Sequence, residues 1–156
     1  PFDRGAVDTP ILAARAAGAG MRGRRPVAIA RVAPVAASRP QPCSGAYSTG
    51  KRRVVMMSRQ LAYEWGPHGV RSNVVSPGLI RTPLSEAFYQ APGVTEARAR
   101  IVPSGRVGTP EDIARAITFL VSDKADYVNG AELLVDGGAS GILMGQMPRP
   151  GFEGKG

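Results

Sequence analysis

Cysteine and histidine are almost missing from this sequence, which has only Cys43 and His68, and the two shortages exclude several kinds of chemistry. No intrachain disulfide can close, no cysteine-based zinc site can form and no histidine cluster can hold a metal, so a metal site is not expected. No run of about 18 apolar residues is present to span a bilayer, and the first residues lack an uninterrupted apolar core of the secretory type. The expectation is a cytoplasmic protein without a membrane partner. Aromatic residues are scarce at the front as well, Phe2 being the only one before Tyr47. This bears on the net charge of +8. Seven arginines stand against Asp3 and Asp8 in residues 1–46, whereas the remainder holds thirteen basic and ten acidic residues. An arginine-rich stretch without interleaved aromatics or a nucleic-acid motif reads as a solvated segment, so no nucleic-acid partner is expected.

The 156 residues suffice for one domain with a core of its own. Within residues 1–46, Pro26, Pro34, Pro40 and Pro42 interrupt any long helix, and the segment reads as irregular and basic. Two pieces of it can be ordered: a helix over residues 11–17 and a buried strand over the apolar run Val27–Val32. Gly18, Gly20 and Gly23 satisfy the G-x-G-x-x-G spacing of a dinucleotide loop. That loop requires a helix after it and an acidic residue about 20 positions on. Here Met21-Arg22-Gly23-Arg24-Arg25-Pro26 is a poor helix and no acidic residue follows before Glu64, so the pattern is a chance spacing in a glycine-rich stretch.

From Tyr47 onward the pattern is regular. A helix running through Val54, Ser58, Leu61 and Trp65 places Tyr47 and Lys51, four apart, on one face. A free tyrosine titrates near pKa ~10 and is a poor acid or base at neutral pH, but a fixed positive charge beside a phenol favours the phenolate. The pair can therefore serve proton transfer. Gly66-Pro67-His68-Gly69 ends the helix and makes His68 a loop residue. Val70-Arg71-Ser72-Asn73-Val74-Val75-Ser76 reads as a strand closed by Pro77-Gly78, and Thr82 can cap a helix with Pro83 in its first position. Residues 84–102 suit a mobile helical lid or, equally, a simple surface loop. Thr109, Pro110 and Asp112 start a helix whose Ile113, Ala116, Ile117, Leu120 and Val121 form one apolar stripe, and residues 131–135 form a last strand before Asp136-Gly137-Gly138. Alternating helices and strands argue for an α/β fold with a parallel sheet.

Residues 47–138 resemble the C-terminal half of a short-chain dehydrogenase/reductase. The resemblance rests on Tyr47 and Lys51, the run from Pro67 to Gly78 with Thr82, Gly105-Arg106 with Pro110-Glu111-Asp112, Asn129-Gly130, and Val135-Asp136-Gly137-Gly138. It implies a Rossmann-like, doubly wound parallel sheet, incomplete here because the N-terminal cofactor-binding strands are missing. It also implies an NAD- or NADP-dependent oxidoreductase that interconverts a small-molecule alcohol and a carbonyl. Tyr47 would be the general acid/base and Lys51 its activator; Lys51, Pro77, Gly78, Ile80 and Thr82 would bind the cofactor. The family's helix at Tyr47 and its last strand lie at subunit interfaces, implying a homo-oligomer, against which the apolar tail 139–156 could dock. The family's catalytic serine, about a dozen residues before the tyrosine, falls near Ala33-Pro34-Val35, and no asparagine precedes Asn73 for the proton relay. The sequence thus reads as a truncated member, its first 46 residues unlike family sequence and expected to be a misread or frame-shifted segment, with an inactive remnant that associates with family members as the alternative.

Overall fold

In the computed structural model, the described residues are 27–40, 42 and 44–146, the side chains of 143–146 excepted. The helix expected at residues 11–17, the Gly18-Gly20-Gly23 pattern, Cys43 and the tail beyond Gln146 lie outside them. Strand β1 (Val27–Val32) is followed by a 3-10 turn at Val35–Ala37 and helix α1 (Gly45–Trp65). Strand β2 (Val70–Pro77), short helices α2 (Glu86–Tyr89) and α3 (Val94–Arg100), helix α4 (Pro110–Val121) and strand β3 (Glu132–Val135) complete the order.

The three strands form one parallel sheet in the order β1-β2-β3, with Val32 beside Val75 and Val75 beside Leu133. β2 is the central strand, and its alternation explains the layering. Val70 and Val74 pack on Leu61, Trp65, Val54 and Val55 of α1, whereas Val75 packs on Ile113 and Leu120 of α4. One helix covers each face, which is why β2 reads as a nearly continuous buried run rather than as apolar alternating with polar. The Rossmann-like α/β expectation is met by this arrangement.

The residues also explain where elements begin and end. Gly69 adopts φ 75° after the 3-10 turn Gly66–His68, a left-handed conformation that glycine takes without steric cost, and His68 lies in that turn as expected. At the start of α4 the Asp112 carboxylate accepts the Thr109 N–H at 2.8 Å, the return bond of a capping box.

The strand expected over Val27–Val32 is present with those bounds, Val27 and Ile29 packing against the core of Leu61, Trp65 and Val70. One expectation is corrected: Thr82 does not start a helix. The Ser85 N–H bonds the Thr82 carbonyl at 3.0 Å and closes a turn, and the helix begins at Glu86. Residues 84–102, expected as a helical segment or a loop, hold the two short helices α2 and α3.

Candidate functional site

Helix α1 carries the first half of the site. Its buried residues Val54, Val55, Ser58, Leu61, Ala62 and Trp65 form a single stripe, and stepping back along that stripe by helical periodicity reaches Lys51 and Tyr47. The stripe lies on the sheet, with Ser58 Oγ 2.8 Å from Ser72 Oγ of β2. Because β1 and β2 are parallel and α1 connects the end of one to the start of the other, the first turns of α1 lie at the carboxyl edge of the sheet. There the Tyr47 ring is 52% exposed, and Lys51 Nζ lies 5.6 Å from its centroid.

The second half leaves β2 at the same edge. The Gly78 N–H donates to the Val135 carbonyl at 3.1 Å. A Cβ on Gly78 would fall 2.6 Å from Asp136 Cβ and 2.8 Å from its Cα, so the close approach of the two strand ends demands glycine whatever is bound there. Ile80 forms a parallel bridge with Gly108, and the Arg81 N–H donates to the Gly108 carbonyl at 3.0 Å. Thr82 donates its N–H to Ser85 Oγ at 2.9 Å, and its hydroxyl lies 3.2 Å from the same oxygen. Of the catalytic and cofactor-binding residues expected from the resemblance, Ile80 alone lines the cavity of about 210 Å³ between Leu79, Arg106, Val135 and Asp136. Tyr47, Lys51, Pro77, Gly78 and Thr82 stand outside that cavity, toward the open edge.

The serine question has a structural answer. Ala33 is fully buried and donates its N–H to the Val75 carbonyl, and Pro34 begins the 3-10 turn. Ser38 is bound elsewhere: its hydroxyl donates to Glu132 Oε1 and accepts from Arg52 at 2.8 Å. Glu132, which sequence reasoning passed over, also accepts from Ser76 Oγ at 2.9 Å and lies within 4 Å of Arg52 and Arg59. It thereby ties the loop preceding Tyr47 to β2 and β3. No local motif marks it, because Ser38 and Glu132 are 94 positions apart.

Two carboxylates brace this edge. Asp136 is held below its ordinary range: partial burial pushes it up, but bonds from the Ser140 and Gly138 N–H groups outweigh that. Asp112 is depressed further, chiefly by a two-pronged bond from Arg106 at 2.7 and 2.9 Å and also by the Thr109 N–H. A carboxylate depressed on folding stabilises the fold above its unfolded pKa of about 3.9, and that contribution is lost as pH falls through the folded value. The difference in Tm between the wild type and Asp112→Asn is therefore expected to be steady from neutral pH down to about pH 4 and to shrink in more acidic buffers. A difference independent of pH in thermal melts would contradict this role for Asp112.

A parallel sheet with a helix on each face, a Tyr-x-x-x-Lys pair at its carboxyl edge and a Pro-Gly strand exit beside it define a Rossmann-like α/β domain. A family model described as enoyl-(acyl carrier protein) reductase matches residues 6–140, taking in β1 and most of the segment before Tyr47. The chain belongs to the short-chain dehydrogenase/reductase family. It is 40% identical to 2-(S)-hydroxypropyl-CoM dehydrogenase 3 of Xanthobacter autotrophicus over 84% of this chain and 53% of that protein. It is 42% identical to the inactive 2-(S)-hydroxypropyl-CoM dehydrogenase 2 of the same organism, again over 84% of this chain and 59% of that one. A solved neighbour is an NADPH-bound short chain oxidoreductase of Pseudomonas aeruginosa, described as containing an atypical catalytic center. It has a TM-score of 0.76 and 32% identity, covering 83% of this chain and 52% of its own. The chain spans about half the length of these relatives.

Proposed function

We propose that this protein is an NAD- or NADP-dependent oxidoreductase interconverting an alcohol and a carbonyl, with Tyr47 as general acid/base. The observation that carries this reading is the continuation of α1's sheet-facing stripe into Tyr47 and Lys51 at the carboxyl edge. In open α/β sheets ligands bind at that edge. Lys51 is half-buried, and among the described residues it meets no carboxylate, only the Tyr47 ring. An ammonium so placed suits the hydroxyls of a cofactor ribose, and the strand exit formed by Pro77, Gly78, Ile80 and Thr82 would border the nicotinamide ring. A bound nicotinamide supplies the hydride acceptor or donor. Tyr47 passes its hydroxyl proton to the nascent alkoxide in reduction and takes it back in oxidation, while Lys51 orients the phenol.

A second reading, an inactive member, is favoured by one observation: Ala33-Pro34-Val35 offers no hydroxyl where the family has its serine, and the Ser38 hydroxyl is bound to Glu132. Against it stands a neighbour that is itself described as having an atypical catalytic center, while the identities of 40% and 42% to a dehydrogenase and to a relative named as inactive favour neither reading. In either reading the outer face of α1, where Met56 is 57% and Tyr63 82% exposed, supports a homo-oligomer. The deciding measurement is a titration of the protein with NADH and NADPH, followed by nicotinamide fluorescence. Saturable binding is expected, weakened about tenfold or more in Lys51→Ala, as for a lost bond to a charged donor. A folded protein that binds neither nucleotide would be an inactive member.

A further inference from the structure

Among the described residues, the half-buried basic side chains are Arg31, Lys51, Arg71 and Arg98. Two of them are satisfied by oxygen: Arg31 donates to Ser72 Oγ at 2.8 Å, and Arg71 to the carbonyls of Leu120 at 2.8 Å and Ser122 at 2.9 Å. Lys51 and Arg98 meet aromatic rings alone. Lys51 already has a place in the proposed chemistry, and Arg98 has none.

The Arg98 guanidinium carbon lies 4.7 Å from the Tyr89 ring centre and 5.7 Å from that of Phe88. Stacking occupies the faces of a guanidinium and leaves its N–H edges to find acceptors. Glu96, two positions before Arg98 on α3, makes no ion pair with it, and the other acids around this edge are matched. Arg81 holds Glu86 through contacts of 2.8 and 2.5 Å, Arg106 and Arg115 hold Asp112, and backbone N–H groups hold Asp136. A partly desolvated cation that no acid among the described residues neutralises is stabilised when an anion from outside completes it.

The location makes that anion a substrate group. Helices α2 and α3 belong to the segment between Thr82 and Val102, and both ends of the segment are fastened at the carboxyl edge. Ser85 Oγ donates to the Ile80 carbonyl at 3.2 Å, and the Ser104 N–H donates to the Gly137 carbonyl at 3.1 Å. Arg98 therefore sits in the segment that rises from the edge where Tyr47 lies. We propose that Arg98 receives a carboxylate carried by the substrate, so that the substrates are short oxo acids and hydroxy acids. The planar fork of arginine matches the two oxygens of a carboxylate. This inference rests on the oxidoreductase reading.

The test uses acetoacetate and its methyl ester, which share a reducible ketone and differ in charge. Reduction of each by NADPH is followed in the wild type, in Arg98→Gln, which keeps a stem and a flat polar head against the rings, and in Arg98→Lys. The wild type is expected to favour the acid in kcat/KM by about tenfold to a hundredfold. That ratio should fall toward one in R98Q, through KM of the acid, and be partly restored in R98K. Calorimetry with malonate supplies a readout that needs no turnover: binding in the wild type and in Tyr47→Phe, and none in R98Q. An acid-to-ester ratio unchanged by R98Q, or equal malonate binding with and without Arg98, would overturn the proposal. Failure to reduce either ketone, with malonate binding still dependent on Arg98, would instead count against the oxidoreductase reading and leave the anion site standing.

Discussion

Tyr47→Phe is expected to lower kcat by about a hundredfold to ten-thousandfold, the range for losing a positioned acid or base, while Tm and NADPH binding stay near wild type. The prediction is sharp because so little else changes. The phenylalanine ring keeps the face over which Lys51 Nζ sits, 5.6 Å from the centroid, and the side chain is 52% exposed, so no cavity opens. The hydroxyl is all that is removed. Lys51→Ala should behave differently, losing nucleotide affinity together with rate, since the ammonium is assigned to both the cofactor and the phenol. The measurement is steady-state reduction of the preferred carbonyl beside a thermal melt and a nicotinamide titration of each variant. Activity of Tyr47→Phe within about threefold of wild type would remove Tyr47 from the proton path, as catalytic acids and bases contribute far more than that.

What was legible in the sequence was local. The start of α4 followed from Thr109, Pro110 and Asp112 because a capping box is closed within four residues, and the Tyr47–Lys51 pair followed from helical spacing alone. Errors came where a local signal had a competitor. Thr82 and Pro83 carry the chemistry of a helix start, yet Ser85 offers a hydroxyl three residues on and draws the segment into a turn instead. β1 was legible as the apolar run Val27–Val32, but its place in the sheet was not. The strand is held by pairing with β2, about 43 positions away, which no window around it contains. The same holds for Glu132, whose partners Ser38, Arg52, Arg59 and Ser76 come from three other elements of the fold.

The largest loss of stability by a single polar substitution is expected at Asn73. Its side chain is almost wholly buried and bridges two backbone groups of the segment before β3: Nδ2 donates to the Val128 carbonyl at 2.8 Å, and Oδ1 accepts the Ala131 N–H at 2.9 Å. Asn73→Ala would leave the Ala131 N–H without its partner and the Val128 carbonyl with only a longer bond of 3.4 Å from Arg71; at about 1–3 kcal/mol for an unmade hydrogen bond, a total near 2–4 kcal/mol is expected, a large part of the stability of a domain this size. Function should suffer with it. The Val74 N–H bonds the Ala131 carbonyl at 2.9 Å, and from there β3 runs to Val135, which receives the Gly78 N–H, so loosening residue 131 loosens the strand exit beside the site. Asn73→Asp separates lost volume from lost hydrogen bonding. At neutral pH its carboxylate would accept from Ala131 but repel the Val128 carbonyl, whereas a protonated acid could donate there. Burial raises the pKa of such a group, so its deficit relative to wild type should shrink as the pH is lowered from neutral. Denaturant unfolding at several pH values gives that difference directly. A deficit equal to that of Asn73→Ala at every pH would mean that packing, and not the bridge between Val128 and Ala131, is what Asn73 provides.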